Sequence, residues 1–250
     1  MLFILDLNGT LLHRLTKSEQ VIKAREHPQS RSSDCIVNGN PVYFRSGLLK
    51  FVEGLFELGE VAVWTSAMPK NALPMTRNAF GRFYERLLFV WTQIECEVQW
   101  TPRTHKPDFK KSLTKVWQTY PEYNENTTIM IDDSPKKLSD HPKNLLAITE
   151  FLVTERDVDH TKDKVLSELY EYLVQFVNQK ELVREYLTRQ PFLNGNKRDD
   201  DQGGKSVTEE GREGTKEVKA TSIDELQAPK AVLCEDLNSI TESLRKASIN

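Results

Sequence analysis

Apolar residues fall into short continuous runs that alternate with stretches of helical periodicity. Leu2 to Leu7 is apolar except for Asp6, and so short a run reads as a strand buried on both faces, as in a parallel sheet. Leu48, Leu49, Val52, Leu55, Phe56 and Leu58 recur at helical spacing up to Gly59, and Val61-Ala62-Val63-Trp64 follows at once. That pattern predicts a helix running into a second strand. A helix over 71–80, a strand over 87–91, a break through 100–107 and a helix over 108–118 come next. Residues 127–131 read as a strand running into Asp132-Asp133, Ser134-Pro135 as the start of a short helix, and 145–148 as a last strand. Val165, Leu166, Leu169, Leu173, Phe176 and Val177, continued by Leu182, Val183 and Leu187, predict one long amphipathic helix that closes the fold.

Strands separated by helices define an α/β protein, a three-layer, Rossmann-like parallel sheet with helices on both faces, in which ligands bind at the carboxyl ends of the strands. This domain is expected to span 1–192. Between His13 and Pro41 the periodicity is lost, which predicts a long loop or a small hairpin flap. Residues 193–250 read as a mostly disordered tail. The only apolar residues in 194–222 are Val207, Val218 and Ala220, too few to offset the entropy of ordering them. Ile223, Leu226, Val232, Leu233, Leu237, Ile240 and Leu244 then return at roughly helical spacing, consistent with a short helix over 223–246.

Composition narrows the partners. With 38% hydrophobic and 9% aromatic residues the chain can build a core, and a net charge of −3 supplies no basic field, so direct nucleic-acid binding is not expected. Cys35, Cys96 and Cys234 form neither an even set nor a Cys-x-x-Cys pair, which suits a reducing compartment. The run from Met1 to Leu5 is too short for a signal-peptide core or a membrane span, leaving cytoplasm or nucleus by elimination. A monomer is the simplest assumption.

Three predicted strands end in polar groups, at Asp6, Thr65 and Asp132-Asp133. Asp6 followed by Leu7-Asn8-Gly9-Thr10-Leu11 is where a carboxylate nucleophile can sit with loop amides facing a phosphate. The same residues also suit an ordinary turn. Paired carboxylates at Asp132-Asp133 call either for a cation such as Mg²⁺ between them or for a helix N-terminus beyond them. Lys106, Lys110, Lys111 and Lys115 precede that pair, and one of them is available to neutralise an aspartyl-phosphate, the others facing solvent.

In order, Asp6-Leu7-Asn8-Gly9-Thr10-Leu11, Val63-Trp64-Thr65-Ser66-Ala67, Phe109-Lys110-Lys111-Ser112-Leu113 and Ile131-Asp132-Asp133-Ser134-Pro135 resemble the four motifs of the haloacid dehalogenase superfamily. Within it the chain looks like the RNA polymerase carboxy-terminal-domain phosphatases, also called NLI-interacting-factor-like phosphatases or FCP1 homology domains, over roughly residues 1–180. The resemblance implies the haloacid dehalogenase fold and Mg²⁺-dependent hydrolysis of phosphoserine, phosphothreonine or phosphotyrosine proteins. It implies Asp6 as nucleophile and metal ligand, Thr65 on the transferring phosphoryl group, Thr10 and Ser66 beside the substrate, and Asp132 and Asp133 as the metal-binding pair. Lys111 matches the motif lysine best, with Lys106 and Lys110 close by.

One position departs from the pattern. The residue two after the nucleophile, a carboxylate general acid and base in the family, is Asn8, whose backbone carbonyl can still serve the metal. General acid–base assistance is worth about 10²–10⁴-fold, so residual activity is expected to favour aryl phosphates, whose leaving group needs a proton least. The departure keeps a second reading open, a pseudophosphatase acting as a binding or scaffold module, as in the related receptor subunit of the mitochondrial presequence translocase. A small-metabolite phosphatase is the third.

Overall fold

The computed structural model describes residues 1–26, 32–100, 107–154 and 159–193. The expected tail with its helix over 223–246, and Lys106, lie outside the described residues.

The chain runs β1 (Leu2–Leu5), β2 (Leu12–Arg14), α1 (Lys17–Glu26), β3 (Cys35–Val37), β4 (Asn40–Phe44), α2 (Leu48–Leu58), β5 (Glu60–Trp64) and α3 (Pro69–Phe80). It continues through β6 (Val90–Trp91), β7 (Glu97–Trp100), β8 (Pro107–Lys110), α4 (Leu113–Thr119), β9 (Thr128–Asp132), β10 (Leu145–Ala147), α5 (Val165–Gln179) and α6 (Val183–Arg189). Five strands form one parallel sheet in the order β10-β9-β1-β5-β6. Alternation along β1 divides the interior: Phe3 and Leu5 face a core built with α2, α3, α5 and α6, while Leu2 and Ile4 face a second core that includes Leu113 and Val116 of α4. The three-layer α/β architecture follows, because every central strand is apolar on both faces and needs cover on each.

Several elements differ from the pattern-based expectation. The segment from His13 to Pro41 is not a loop. It carries α1 and, through β2, β4 and β3, a small antiparallel sheet. Helix α1 is mostly polar, with its two large apolar residues Val21 and Ile22 adjacent and exposed, and so left no periodic signal, yet Thr16 and Glu19 form its capping box: Glu19 Oε2 accepts from the Thr16 N–H at 2.6 Å and Thr16 Oγ1 from the Glu19 N–H at 3.3 Å. The start of the helix expected over 108–118 is instead strand β8, paired with β7 Glu97 to Lys110 and Val98 to Phe109, so α4 begins at Leu113 rather than at Asp108. The edge strand β6 keeps only two residues of the predicted five. The long closing helix is two, because Lys180 adopts a left-handed conformation (φ 54°) that ends α5 before α6 begins.

Candidate active site

Strands β5, β1 and β9 lie side by side in parallel register, with Leu5 opposite both Val63 and Ile131. Asp6, Thr65 and Asp132 therefore converge at one end of the sheet. Lys111 completes the centre from the β8–α4 junction: its ammonium donates to Asp6 Oδ1 at 2.8 Å and to Asp132 Oδ2 at 2.6 Å, with all three side chains at most 1% exposed. The Lys111 N–H bonds the Lys137 carbonyl at 2.8 Å, which fastens the junction to the turn after β9. From that turn Lys137 Nζ approaches Asp6 Oδ2 at 3.7 Å and Asp132 Oδ1 at 3.8 Å. Lys110 pairs with Asp140 at the surface and Lys115 donates to the Glu95 carbonyl, so neither reaches the site.

The turn after β1 is shaped around Asp133. Gly9 has φ +87°, and a Cβ there would fall 2.8 Å from the Asp133 carboxylate, so only glycine lets the two segments approach so closely. The Thr10 hydroxyl donates to Asp133 Oδ1 at 2.9 Å and accepts from the Asp133 N–H at 3.1 Å. Thr10, expected beside the substrate, is fully buried, with its hydroxyl engaged by Asp133. Arg45, only 3% exposed, pins the same turn: it donates to the Thr10 carbonyl at 3.2 Å and the Thr149 carbonyl at 2.9 Å, and it pairs with Asp163 at 2.9 Å. Asn8 is exposed, and its Oδ1 accepts the Arg14 N–H at 2.8 Å.

A cavity of about 270 Å³ opens over the strand ends. Asp6, Asn8, Thr65 and Ser66 line it together with Arg14, Thr16, Ala67, Asn71, Met75 and Lys137. The flap reaches its rim, where Asn38 donates to the Lys70 carbonyl at 2.7 Å and to Asn71 Oδ1 at 2.8 Å.

The electrostatics fit a hard cation. Carboxylate oxygens of Asp6, Asp132 and Asp133 lie within 4.8 Å of one another, and these three charges face two lysines, leaving a negative surplus. Burial alone would raise Asp6, but Lys111, and then Lys137, pull it below the ordinary carboxylate value. Burial raises Asp132 against the pull of Lys111. Burial and the nearby Asp6 push Asp133 up to about 6, as expected where negative charge is undercompensated. Burial opposes the charge on Lys111, but Asp6 and Asp132 outweigh it and hold the group protonated well above its usual range. An all-oxygen donor set of this kind suits Mg²⁺. Both Asp132 oxygens already accept, Oδ2 from Lys111 and Oδ1 from the Ser134 N–H at 2.8 Å, whereas the bonds to Asp6 from Lys111 and to Asp133 from Thr10 each engage Oδ1, so Asp6 and Asp133 are the better-placed donors.

Sequence reasoning missed Lys137, Arg14, Asn71 and the Arg45–Asp163 pair. The first three carry no pattern that separates them from surface residues. A faint signal existed for Arg45, a lone charge closing the run Val42-Tyr43-Phe44.

A family model described as NLI interacting factor-like phosphatase matches residues 1–184. An uncharacterized FCP1 homology domain-containing protein of Schizosaccharomyces pombe is 29% identical over 205 residues, which cover 76% of this chain and 77% of that protein. Among solved structures, Fcp1, an essential RNA polymerase II CTD phosphatase, matches with a TM-score of 0.48 at 14% identity, over 75% of this chain and 65% of that one. The fission yeast RNA polymerase II CTD phosphatase bound to beryllium fluoride matches with a TM-score of 0.42 at 16% identity, over 75% of this chain and 53% of that one. The chain thus spans less than two thirds of the length of either solved relative.

Proposed function

Because the chain belongs to the family of NLI interacting factor-like phosphatases, we propose that it is a Mg²⁺-dependent phosphomonoesterase in which Asp6 attacks the phosphorus of a phosphoprotein. The observation that carries this reading is Lys111, buried between Asp6 and Asp132 while a cavity opens on Asp6. A lysine so placed keeps Asp6 ionised, as a nucleophile requires, and holds its carboxylate in one orientation. Thr65 and Ser66 offer hydroxyls to the phosphoryl oxygens, and Lys137 and Arg14 supply positive charge at the cavity wall. Mg²⁺, held by Asp6, Asp133 and the Asn8 carbonyl, would supply charge neutralisation for the transferring group. Thr10 and Gly9 act through Asp133, which they position. Substrates of this class are phosphoserine, phosphothreonine or phosphotyrosine proteins of the cytoplasm or nucleus, and no described helix is long and apolar enough to cross a membrane.

Asn8 favours one other reading, a pseudophosphatase that binds phosphopeptides without turning them over. The deciding experiment is Mg²⁺-dependent hydrolysis of an aryl phosphate by the wild type, Asp6→Asn and Asn8→Asp. Turnover lost in Asp6→Asn and raised in Asn8→Asp supports the enzyme. No turnover by either wild type or Asn8→Asp supports the binding module.

A further inference from the structure

At the cavity rim the flap is fastened to α3. Asn38, a left-handed residue (φ 49°) in the turn between β3 and β4, gives both of its amide hydrogens to the first turn of that helix. One goes to the Lys70 carbonyl at 2.7 Å and the other to Asn71 Oδ1 at 2.8 Å. The backbone end fixes the polarity of this chain of bonds. A carbonyl only accepts, so the Asn38 atom beside Lys70 is the amide nitrogen, and the Asn71 atom beside that nitrogen must be the oxygen. The Asn71 –NH₂ is thereby left as a donor, with no acceptor for it among the described residues. Asn71 also lines the cavity. Asp6 and Thr65 line it from the strand ends, where a phosphoryl group would be attacked, whereas Asn71 lines it from α3, beside the flap.

Resting on the phosphatase reading above, we propose that Asn71 is a specificity-determining residue: its amide nitrogen donates to a backbone carbonyl of the phosphoprotein next to the phosphorylated residue. Asn38 is the positioning residue that turns it. A polypeptide presents a carbonyl acceptor at every residue, outside the phosphoryl group, and a simple aryl phosphate presents none there. The donor therefore separates peptide substrates from small phosphate esters that fit the same strand ends. Because the Asn71 oxygen is held by Asn38 before substrate arrives, little rotational freedom is lost when the nitrogen finds its acceptor. Asn38 spends both amide hydrogens on α3 and acts only through Asn71.

The test is the ratio of kcat/KM on two substrates, measured with the full chain and Mg²⁺: a capped peptide with phosphotyrosine between alanines, and phenyl phosphate. Asn71→Leu keeps the branched shape and removes the donor. The peptide-to-phenyl phosphate ratio is expected to fall about 2–10-fold, the weight of one neutral hydrogen bond, and to fall through KM. Asn38→Gly keeps the left-handed turn while releasing Asn71, and should lower the same ratio by less; a ratio equal to wild type removes Asn38 from the inference. An unchanged ratio in Asn71→Leu, whether the two activities hold or fall together, overturns the inference and leaves the phosphatase intact. Hydrolysis of neither substrate by the wild type sinks the phosphatase reading instead. The ratio is then taken from dissociation constants by calorimetry, where a fall in Asn71→Leu upholds the role of Asn71, and no change or no peptide binding overturns it.

Discussion

Lys111→Met removes the charge at the centre of the site and keeps most of the stem. In the wild type its ammonium lies 2.8 Å from Asp6 and 2.6 Å from Asp132, with essentially no solvent access. At an effective dielectric constant of about 20 each contact is worth about 6 kcal/mol of direct attraction. Desolvation of the ions cancels much of that, and deleting one partner of a buried pair typically costs about 3–5 kcal/mol. Urea unfolding in EDTA, followed by tryptophan fluorescence, is expected to show a loss of that size. The loss should shrink in acid. In the wild type Asp6 lies below 3.8, so its contribution is present above pH 3.8 and is lost as pH falls. Without Lys111, burial and Asp132 raise Asp6, so its contribution is present at low pH and is lost as pH rises. Saturating Mg²⁺ should recover part of the deficit by binding the folded state, about 2.7 kcal/mol at a hundredfold excess over Kd. A deficit below about 1 kcal/mol in EDTA at neutral pH would refute the view that Lys111 carries the charge balance of the site.

Gly9→Ala forces a side chain onto a left-handed residue and into the Asp133 carboxylate. A loss of about 2–4 kcal/mol is expected in denaturant titrations, with weaker Mg²⁺ binding by calorimetry. Arg45→Met strands Asp163, whose side chain is only 14% exposed, and frees the Thr10 carbonyl; about 3 kcal/mol should be lost in the same titrations. Burial holds His13 below its ordinary 6.5 despite the opposing pull of Glu19, and protonation at Nδ1 would break the bond from the Val153 N–H. Its contribution is therefore present above pH 6.5 and fades as pH falls through that value. The stability gap between wild type and His13→Gln, measured by urea unfolding at several pH values, should narrow below 6.5; a gap constant from pH 8 to 5 would count against it.

Legibility in the sequence followed burial symmetry. The strands that became β1, β5 and β9 are apolar on both faces and stood out as uninterrupted runs. The helix that became α2 stood out because one face alone is buried, which imposes a 3.6-residue period. Helix α1 and the β7–β8 ribbon were missed because they meet solvent widely and bury too little to pattern their sequence. Local chemistry still marked one of them, as the Thr16–Glu19 capping box shows. The two-residue β6 and the break at Lys180 are boundaries set by neighbours rather than by local preference.

The family, the α/β class and the end of the sheet at which Asp6, Thr65 and Asp132 meet were determined by the sequence alone. Each polar residue interrupting or ending an apolar strand must lie at the strand's end, and parallel strands bring those ends together. Tertiary structure decided the contacts. Among the described lysines before Asp132-Asp133 it set Lys111 between Asp6 and Asp132, from the β8–α4 junction tied by its N–H to Lys137. It placed the Thr10 hydroxyl against Asp133, and it turned the Asn8 amide by giving its oxygen to the Arg14 N–H. Those choices depend on partners 6 to 123 positions away in the chain, and contacts at such separations exist only once the sheet has formed.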